Sequence, residues 1–394
     1  MESYVVIGGG LAGLTAANAL AGQGNKVTLL EQSARPGGRA RTQVENGYAA
    51  NLGPHALYRG GQAARTFREW KIPFSGAVPP TASRAFFSRG GRFFPMVTNL
   101  SSLVATSMFN FREKAEVANL LRLFATGQAK PFEPMADWLD RHLTRPRVRE
   151  FAATIIRIST FNVELDQLNG QIALRQVASA LKDNVLYLDG GWQTLVDGLV
   201  ERARSLGVEI RCGEPVLNLD DIDATGIVLA VGPEAVEKLT GARLPAARAV
   251  RMASLDLGLE GVPEDSPNTV FPVDRPLYFG THSASARLAP DGGRMVHVAK
   301  YLGSAAQEPK TVRAELEEFA TLAIPDWRQH TKFVRFLPDL TVTLMMPMDS
   351  SMPRLERVAF AGDWVGTDGM LADAAVASAL AAARTIQQAK AAAA

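Results

Sequence analysis

Residues Val5–Thr42 read VVIGGGLAGLTAANALAGQGNKVTLLEQSARPGGRART. A short apolar run, Tyr4–Ile7, stops at three glycines. The alanine-rich stretch Leu11–Leu20 has helical character, Gly22 and Gly24 close it, and Val27–Leu30 is a second apolar run. Strand, glycine turn, helix and strand in that order make one unit of a parallel sheet. Gly8-x-Gly10-x-x-Gly13 falls at the strand-to-helix junction, where a dinucleotide site needs it. Gly8 permits the tight turn, Gly10 lets the backbone approach a pyrophosphate, and Gly13 allows helix and strand to pack closely. Leu11 and Ala12 open the helix, whose unpaired N–H groups attract phosphate. Glu31, followed by Gln32, stands at the spacing of a ribose-binding acid.

FAD and NAD sites share this pattern, and the next residues separate them. RPGGRART brings Gly37, Gly38, Arg39 and Arg41 directly after Glu31. Two more glycines imply a second close backbone approach, and Arg39 can offset pyrophosphate charge with directed hydrogen bonds.

The bulk numbers agree with an ordinary globular chain. Its 394 residues exceed what one core usually holds, so two domains are expected. Forty-two basic against 40 acidic residues give no electrostatic case for nucleic acid. The single cysteine, Cys212, excludes an intrachain disulfide and fits a reducing compartment, so the expected location is the cytoplasm. Met1–Tyr4 lacks the basic start of a secretory signal, and no apolar run is long enough to span a membrane. The apolar segment Leu100–Phe111 reads as a core or domain-interface helix and leaves peripheral membrane contact open. The alanine tract that ends the chain is expected to fray.

Glu31 followed by Arg35-x-Gly37-Gly38-Arg39-x-x-Thr42 resembles the superfamily of flavin-dependent amine oxidases, phytoene desaturases and protoporphyrinogen oxidases. NGYAANLGPHALY (Asn46–Tyr58) is similar to that family's next segment, with Asn51 where an acid is frequent. RVAFAGDW and DGMLADAAVASALAAA resemble its C-terminal strand, loop and helix. The resemblance implies FAD as cofactor. It implies Gly53, Pro54 and His55 beside the flavin ring, Gly362 and Asp363 at the phosphate–ribitol region, and Met370 and Leu371 at the pyrimidine end. By the same matching, Val216 pairs its backbone with adenine.

The expected fold is therefore α/β. A Rossmann-like FAD-binding domain is assembled from residues 1–73, 186–248 and 348–394. An α+β substrate domain, a mixed sheet plus helices, fills 74–185 and 249–347.

Bound FAD implies hydride removal from a C–H beside C=C, nitrogen or another activating group. His55 is the polar candidate for catalysis near the ring, with a purely local backbone role as its alternative. Lys300 is the second candidate, with a surface role as its alternative. The histidines show no metal-ligand spacing. The loop WVGTDGML lacks the tyrosine common in amine oxidases, and RAFFSRGGRFFPM and TVTLMMPM are apolar. A small hydrophobic organic substrate of polyisoprenoid or carotenoid type is the favoured expectation. Amine oxidase and protoporphyrinogen oxidase chemistry are the alternatives, and oxygen or a quinone would accept the electrons. A non-enzymatic binder like the Rab GDP-dissociation inhibitors competes with these, and Glu31, Arg39 and Asp363 argue against it.

Overall fold

The computed structural model describes residues 2–80, 83–348, 350–366 and 369–391. The fraying expected at the chain end falls on Ala392–Ala394, which lie outside them.

The opening stretch folds as its pattern requires. Strands Ser3–Ile7 and Lys26–Glu31 pair in parallel and flank the helix Leu11–Ala21. Two later pieces of chain complete the same sheet. Gly226–Leu229 adds beside the first strand, Glu209–Cys212 beside the second, and Val358–Phe360 outside Gly226–Leu229. All five strands are parallel and short, with helices covering both faces, as parallel strands require. Helices Leu11–Ala21, Gln193–Ser205 and Leu371–Ala391 share one apolar cluster with these strands. Alanine dominates the contact between Leu11–Ala21 and Leu371–Ala391, which lets their backbones approach closely.

The second sheet has seven strands. Its longest members are Arg248–Glu260, Gly293–Leu302 and Thr331–Met345, paired antiparallel, and the parallel pairing of Thr269–Pro272 with Ala85–Arg89 makes it mixed. One face packs against the helices Phe111–Thr126, Met135–His142, Pro146–Thr160 and Gly170–Asp183. The other face packs against Pro309–Ala323. Alternation along each strand assigns side chains to these two faces. On Gly293–Leu302, Ala299 and Tyr301 join the four-helix side, while Val296, Val298 and Leu302 join the single-helix side.

The segment Leu100–Phe111 begins as a helix over Leu100–Ala105, capped by Asn99. Leu103, Met108 and Phe109 are buried, whereas Leu100, Val104 and Phe111 are exposed. Among the described residues no helix is long and apolar enough to cross a membrane.

The glycines of the first turn divide by function. A Cβ on Gly13 would lie 1.8 Å from the Gly8 carbonyl oxygen, so only glycine allows that helix-to-strand approach. A Cβ on Gly10 would meet nothing within 4 Å, and its φ of −76° suits any residue. Gly13→Ala should therefore destabilise the flavin-free protein by roughly 2–4 kcal/mol. Gly10→Ala should leave its melting temperature nearly unchanged and weaken FAD binding instead. Calorimetry and FAD titration of both variants check this, and an equal loss of stability in the two would refute the division.

Candidate active site

The site assembles at the carboxyl ends of the parallel strands, where open α/β sheets bind ligands. Gly10 opens the Leu11–Ala21 helix, with Leu11 and Ala12 at its first turn. The Cβ position of Gly38 is 3.4 Å from the Gly10 Cα, so the two glycine loops lie against each other. The Gly37 N–H also donates to the Gly9 carbonyl. Glu31 is buried beneath them. Its carboxylate accepts from the Gly9 N–H (2.5 Å) and the Ser33 N–H (2.7 Å). Gln32 is exposed beside it, and Val216 is half-buried beyond the end of the neighbouring Glu209–Cys212 strand.

Arg39 and Asp363, expected at different parts of a cofactor, meet in the structure. The guanidinium grips the carboxylate through two bonds of 2.8 and 2.6 Å and donates to the Val342 carbonyl. Asp363 also accepts from Thr343 Oγ1 and the Leu344 N–H, which belong to the seven-stranded sheet. The φ of +157° at Gly362 favours glycine, and a Cβ there would strike the Trp364 indole. Trp364 is core: it is buried and donates through Nε1 to the Val231 carbonyl.

Gly53 has φ of +78°, and its Cβ position is flanked by Leu340, Met252 and Ser254 of the larger sheet. Asn51 Oδ1 accepts from Thr42 Oγ1 and from the Trp192 N–H, which fastens the segment to the start of the Gln193–Ser205 helix. Pro54 is buried, and His55 Nδ1 faces the Gly53 carbonyl at 3.1 Å. The ring also approaches the Arg39 backbone and packs edge-on against Trp192. Burial, with smaller contributions from the His297 and Arg39 charges, pushes its pKa down to about 4. The ring is thus neutral at physiological pH and engaged with backbone, which is the local alternative to a catalytic role.

Lys300 requires a correction. It lies on the Pro309–Ala323 side of its strand, and its ammonium pairs with Glu315 at 2.5 Å. Strand alternation turns it away from the four-helix side that Met252 and Met370 share. Its odd-numbered neighbour His297 faces inward instead.

His297 belongs to a buried network that sequence reasoning missed. Asp256 and His297 have no exposed surface, and His297 Nδ1 stands 2.6 Å from Asp256 Oδ1. Ser254 Oγ donates to Asp256 at 2.6 Å, and Arg335 donates at 2.6 and 3.0 Å. Burial alone would raise the Asp256 pKa, but the neighbouring His297 and Arg335 outweigh it and hold the carboxyl below its usual range. Arg335 also donates to the Asn51 carbonyl and to Gln43, so the network backs the Asn51–His55 segment. His282 lies edge-on to His297, with centroids 4.5 Å apart, and its Nε2 is 2.8 Å from Tyr278 Oη. Tyr187 stacks on His282 at 3.8 Å and meets Tyr278 through its hydroxyl. Burial drives the His282 pKa well down and the Tyr278 pKa well up, so both are neutral. The available signal was His297 within the apolar run Met295–Ala299.

Met370 and Leu371 open the final helix. Leu371 has a φ of +58°, a conformation that costs a non-glycine residue about 1–3 kcal/mol and clusters at functional sites. Next to them Asp373 is buried and accepts from the Ala63 N–H at 2.8 Å, while a Cβ on Gly61 would strike its carboxylate. A cleft of about 710 Å³, counted to its open mouth, runs past Asp363 and Met370 and is lined by Met345, Met346, Met348 and Met352.

These features fit a dinucleotide. The open space beside Gly10, a buried acid beneath the glycine loops and a cation at their rim are what its backbone approach, ribose and pyrophosphate need.

The comparisons agree. Residues 11–250 match the family model described as flavin containing amine oxidoreductase. An L-amino-acid oxidase of Daboia russelii is 60% identical over 94 residues, which cover 23% of this chain and 19% of that protein. The match therefore spans about a fifth of that relative's length. Among solved structures, an oxidoreductase from Methanosarcina mazei aligns with a TM-score of 0.76 and 16% identity over 98% of this chain and 100% of that one. Putrescine oxidase bound to putrescine aligns with a TM-score of 0.76 and 15% identity over 98% and 99%. At those identities the likeness is one of fold.

Two pH dependences follow. Between about pH 6.5 and 4 the unfolded chain protonates His55 and the folded chain does not, so stability falls as pH falls through that window. His55→Gln should flatten that slope in urea titrations at stepped pH; an unchanged slope would contradict the neutral ring. Burial raises the Asp373 pKa from 3.8 to about 6, so the folded state binds the extra proton and stability declines as pH rises across that range. Asp373→Asn keeps the acceptor for Ala63 and should stabilise the protein by about 1–3 kcal/mol more at pH 7.5 than at pH 4.

The fold, the glycine cradle and the match over residues 11–250 place the chain in the flavin-containing amine oxidoreductase family, with FAD as its cofactor.

Proposed function

We propose that the protein is an FAD-dependent oxidoreductase acting on a C–H bond next to an amino nitrogen. The observation that carries this reading is the buried polar cluster of the larger sheet, where Tyr187 stacks on His282, Tyr278 meets both through its hydroxyl, and His297 lies edge-on to His282. Rings bearing polar tips suit a small nitrogen-containing molecule better than a long hydrocarbon. Family membership supports it, as do relatives named as amino-acid and putrescine oxidases.

Gly8, Gly10, Leu11, Ala12, Gly13 and Gly38 would hold the pyrophosphate, with Arg39 offsetting its charge. Glu31 and Gln32 would meet the ribose, and Val216 the adenine. Gly362 and Asp363 would serve the ribitol, with Gly53 and Pro54 against the ring and Met370 and Leu371 at its pyrimidine end. When bound, FAD supplies hydride acceptance. The Leu371–Ala391 helix directs its positive N-terminal end toward the site and favours negative charge there. His282, kept neutral by burial, hydrogen-bonds through Nε2 with the Tyr278 hydroxyl and holds it in place. The Asp256–Arg335–His297 network holds the Asn51–His55 segment in place from behind.

The methionine-lined cleft favours a second reading, a desaturase acting on an apolar polyene. Anaerobic reduction of the purified flavoprotein distinguishes them. Bleaching of the visible flavin bands by L-amino acids or by amines such as putrescine and benzylamine is expected. Bleaching by a polyene precursor alone would replace the first reading with the second.

A further inference from the structure

The methionines of this chain divide by place. Met108, Met135, Met252 and Met295 are buried in the core. Met345, Met346, Met348 and Met352 are half-buried, fall within eight residues of one another, and together line the cleft that runs past Asp363 and Met370. Of the residues expected around the cofactor, only Asp363 and Met370 reach this cleft; Gly10, Glu31, Gly38, Arg39, Gly53 and His55 do not. The cleft thus adjoins the cofactor cradle and is a separate space.

Its chemistry is neutral. Among the described residues Asp363 is its one charged side chain, and that carboxylate is engaged by Arg39, Thr343 and Leu344. An ammonium finds no free counter-charge there. One donor is unspent. Asn169, on the cleft wall, caps the helix Gly170–Asp183 by accepting from the Ile172 N–H through Oδ1 at 3.1 Å, and its Nδ2 donates to nothing among the described residues. The Met345 sulfur is fixed in turn by Asn162 Nδ2 at 3.6 Å. Polarisable thioethers pack well against flat conjugated rings, and a lone amide donor suits a carbonyl oxygen.

We propose that this cleft receives a quinone-type electron acceptor, a flat neutral dione whose oxygen accepts from Asn169 Nδ2. This deepens the amine-oxidation reading and rests on it, because an amine substrate leaves the neutral cleft to a second, apolar molecule. The amine's C–H bond breaks and its hydride goes to FAD, leaving an iminium ion. The reduced flavin then gives the quinone two electrons and one proton, solvent supplies the second proton, and hydroquinone leaves. Oxygen is less well served. Its first electron makes superoxide, an anion that a free cation beside the ring would stabilise. Arg39, Arg335 and Lys300 are each held by a carboxylate instead.

The test separates acceptor from substrate. Menadione binding to the oxidised, FAD-loaded enzyme is measured by equilibrium dialysis with no amine present. In parallel, enzyme reduced anaerobically with stoichiometric dithionite is mixed with menadione or with oxygen at equal concentration, and the return of the flavin absorbance is timed. Menadione should bind saturably and reoxidise the flavin faster than oxygen does. Asn169→Asp keeps the helix cap, removes the donor, and should weaken menadione by about three- to tenfold, the value of one hydrogen bond. Met352→Trp should fill the cleft and abolish saturable binding. FAD titrations of both variants should match wild type, which a general structural lesion would not leave intact. Menadione binding that is absent, or unchanged in both variants, overturns the proposal, and so does faster reoxidation by oxygen. Displacement of menadione by a polyene that also bleaches the flavin overturns it by making the cleft a substrate site. Menadione binding that depends on Asn169 and Met352, without bleaching by any nitrogen compound, keeps the acceptor site and overturns the amine reading.

Discussion

The structure depends on one close approach, that of the first helix to the first strand at Gly13 and Gly8. With 1.8 Å between the Gly8 oxygen and the place a Cβ would occupy, no other residue lets the helix start there. That start aims the Leu11–Ala21 N-terminus at the carboxyl edge of the sheet. It also seats the alanine face of the helix against Leu371–Ala391, so the last element of the chain is positioned by the first. The second glycine loop docks on this frame through the Gly37–Gly9 bond, and Arg39 thereby arrives opposite Asp363.

The larger sheet answers with a different device. Asp256 is a charge with no exposed surface, and it is stable there because three donors surround it. Arg335 uses its remaining donors on Asn51 and Gln43 and so ties that charge to the segment carrying Gly53 and His55. Asn51 fits this arrangement as a neutral acceptor. Arg157, on the helix Pro146–Thr160, shows the opposite condition, a buried charge whose hydrogen-bond acceptors are neutral.

The parallel-sheet strands, the glycine turn, Glu31 and Arg39 were legible because each obeys a local rule of spacing or conformation. His55 and Lys300 show where such rules stop. Both are polar residues in plausible segments, yet the backbone carbonyls near His55 and the Glu315 partner of Lys300 come from packing. Tyr58, Tyr187, Tyr278 and Tyr301 lie on four different strands, and nothing in their spacing brings them together.

The amino-acid sequence by itself determined the dinucleotide fold and its cofactor class, because glycine turns, helix starts and strand ends are set within a few residues of one another. Only the tertiary structure decided which face of the Gly293–Leu302 strand packs against the four helices and which buried charges find charged partners. Those outcomes turn on contacts between segments distant in the chain, and strand register and helix placement exist only once the whole chain has packed.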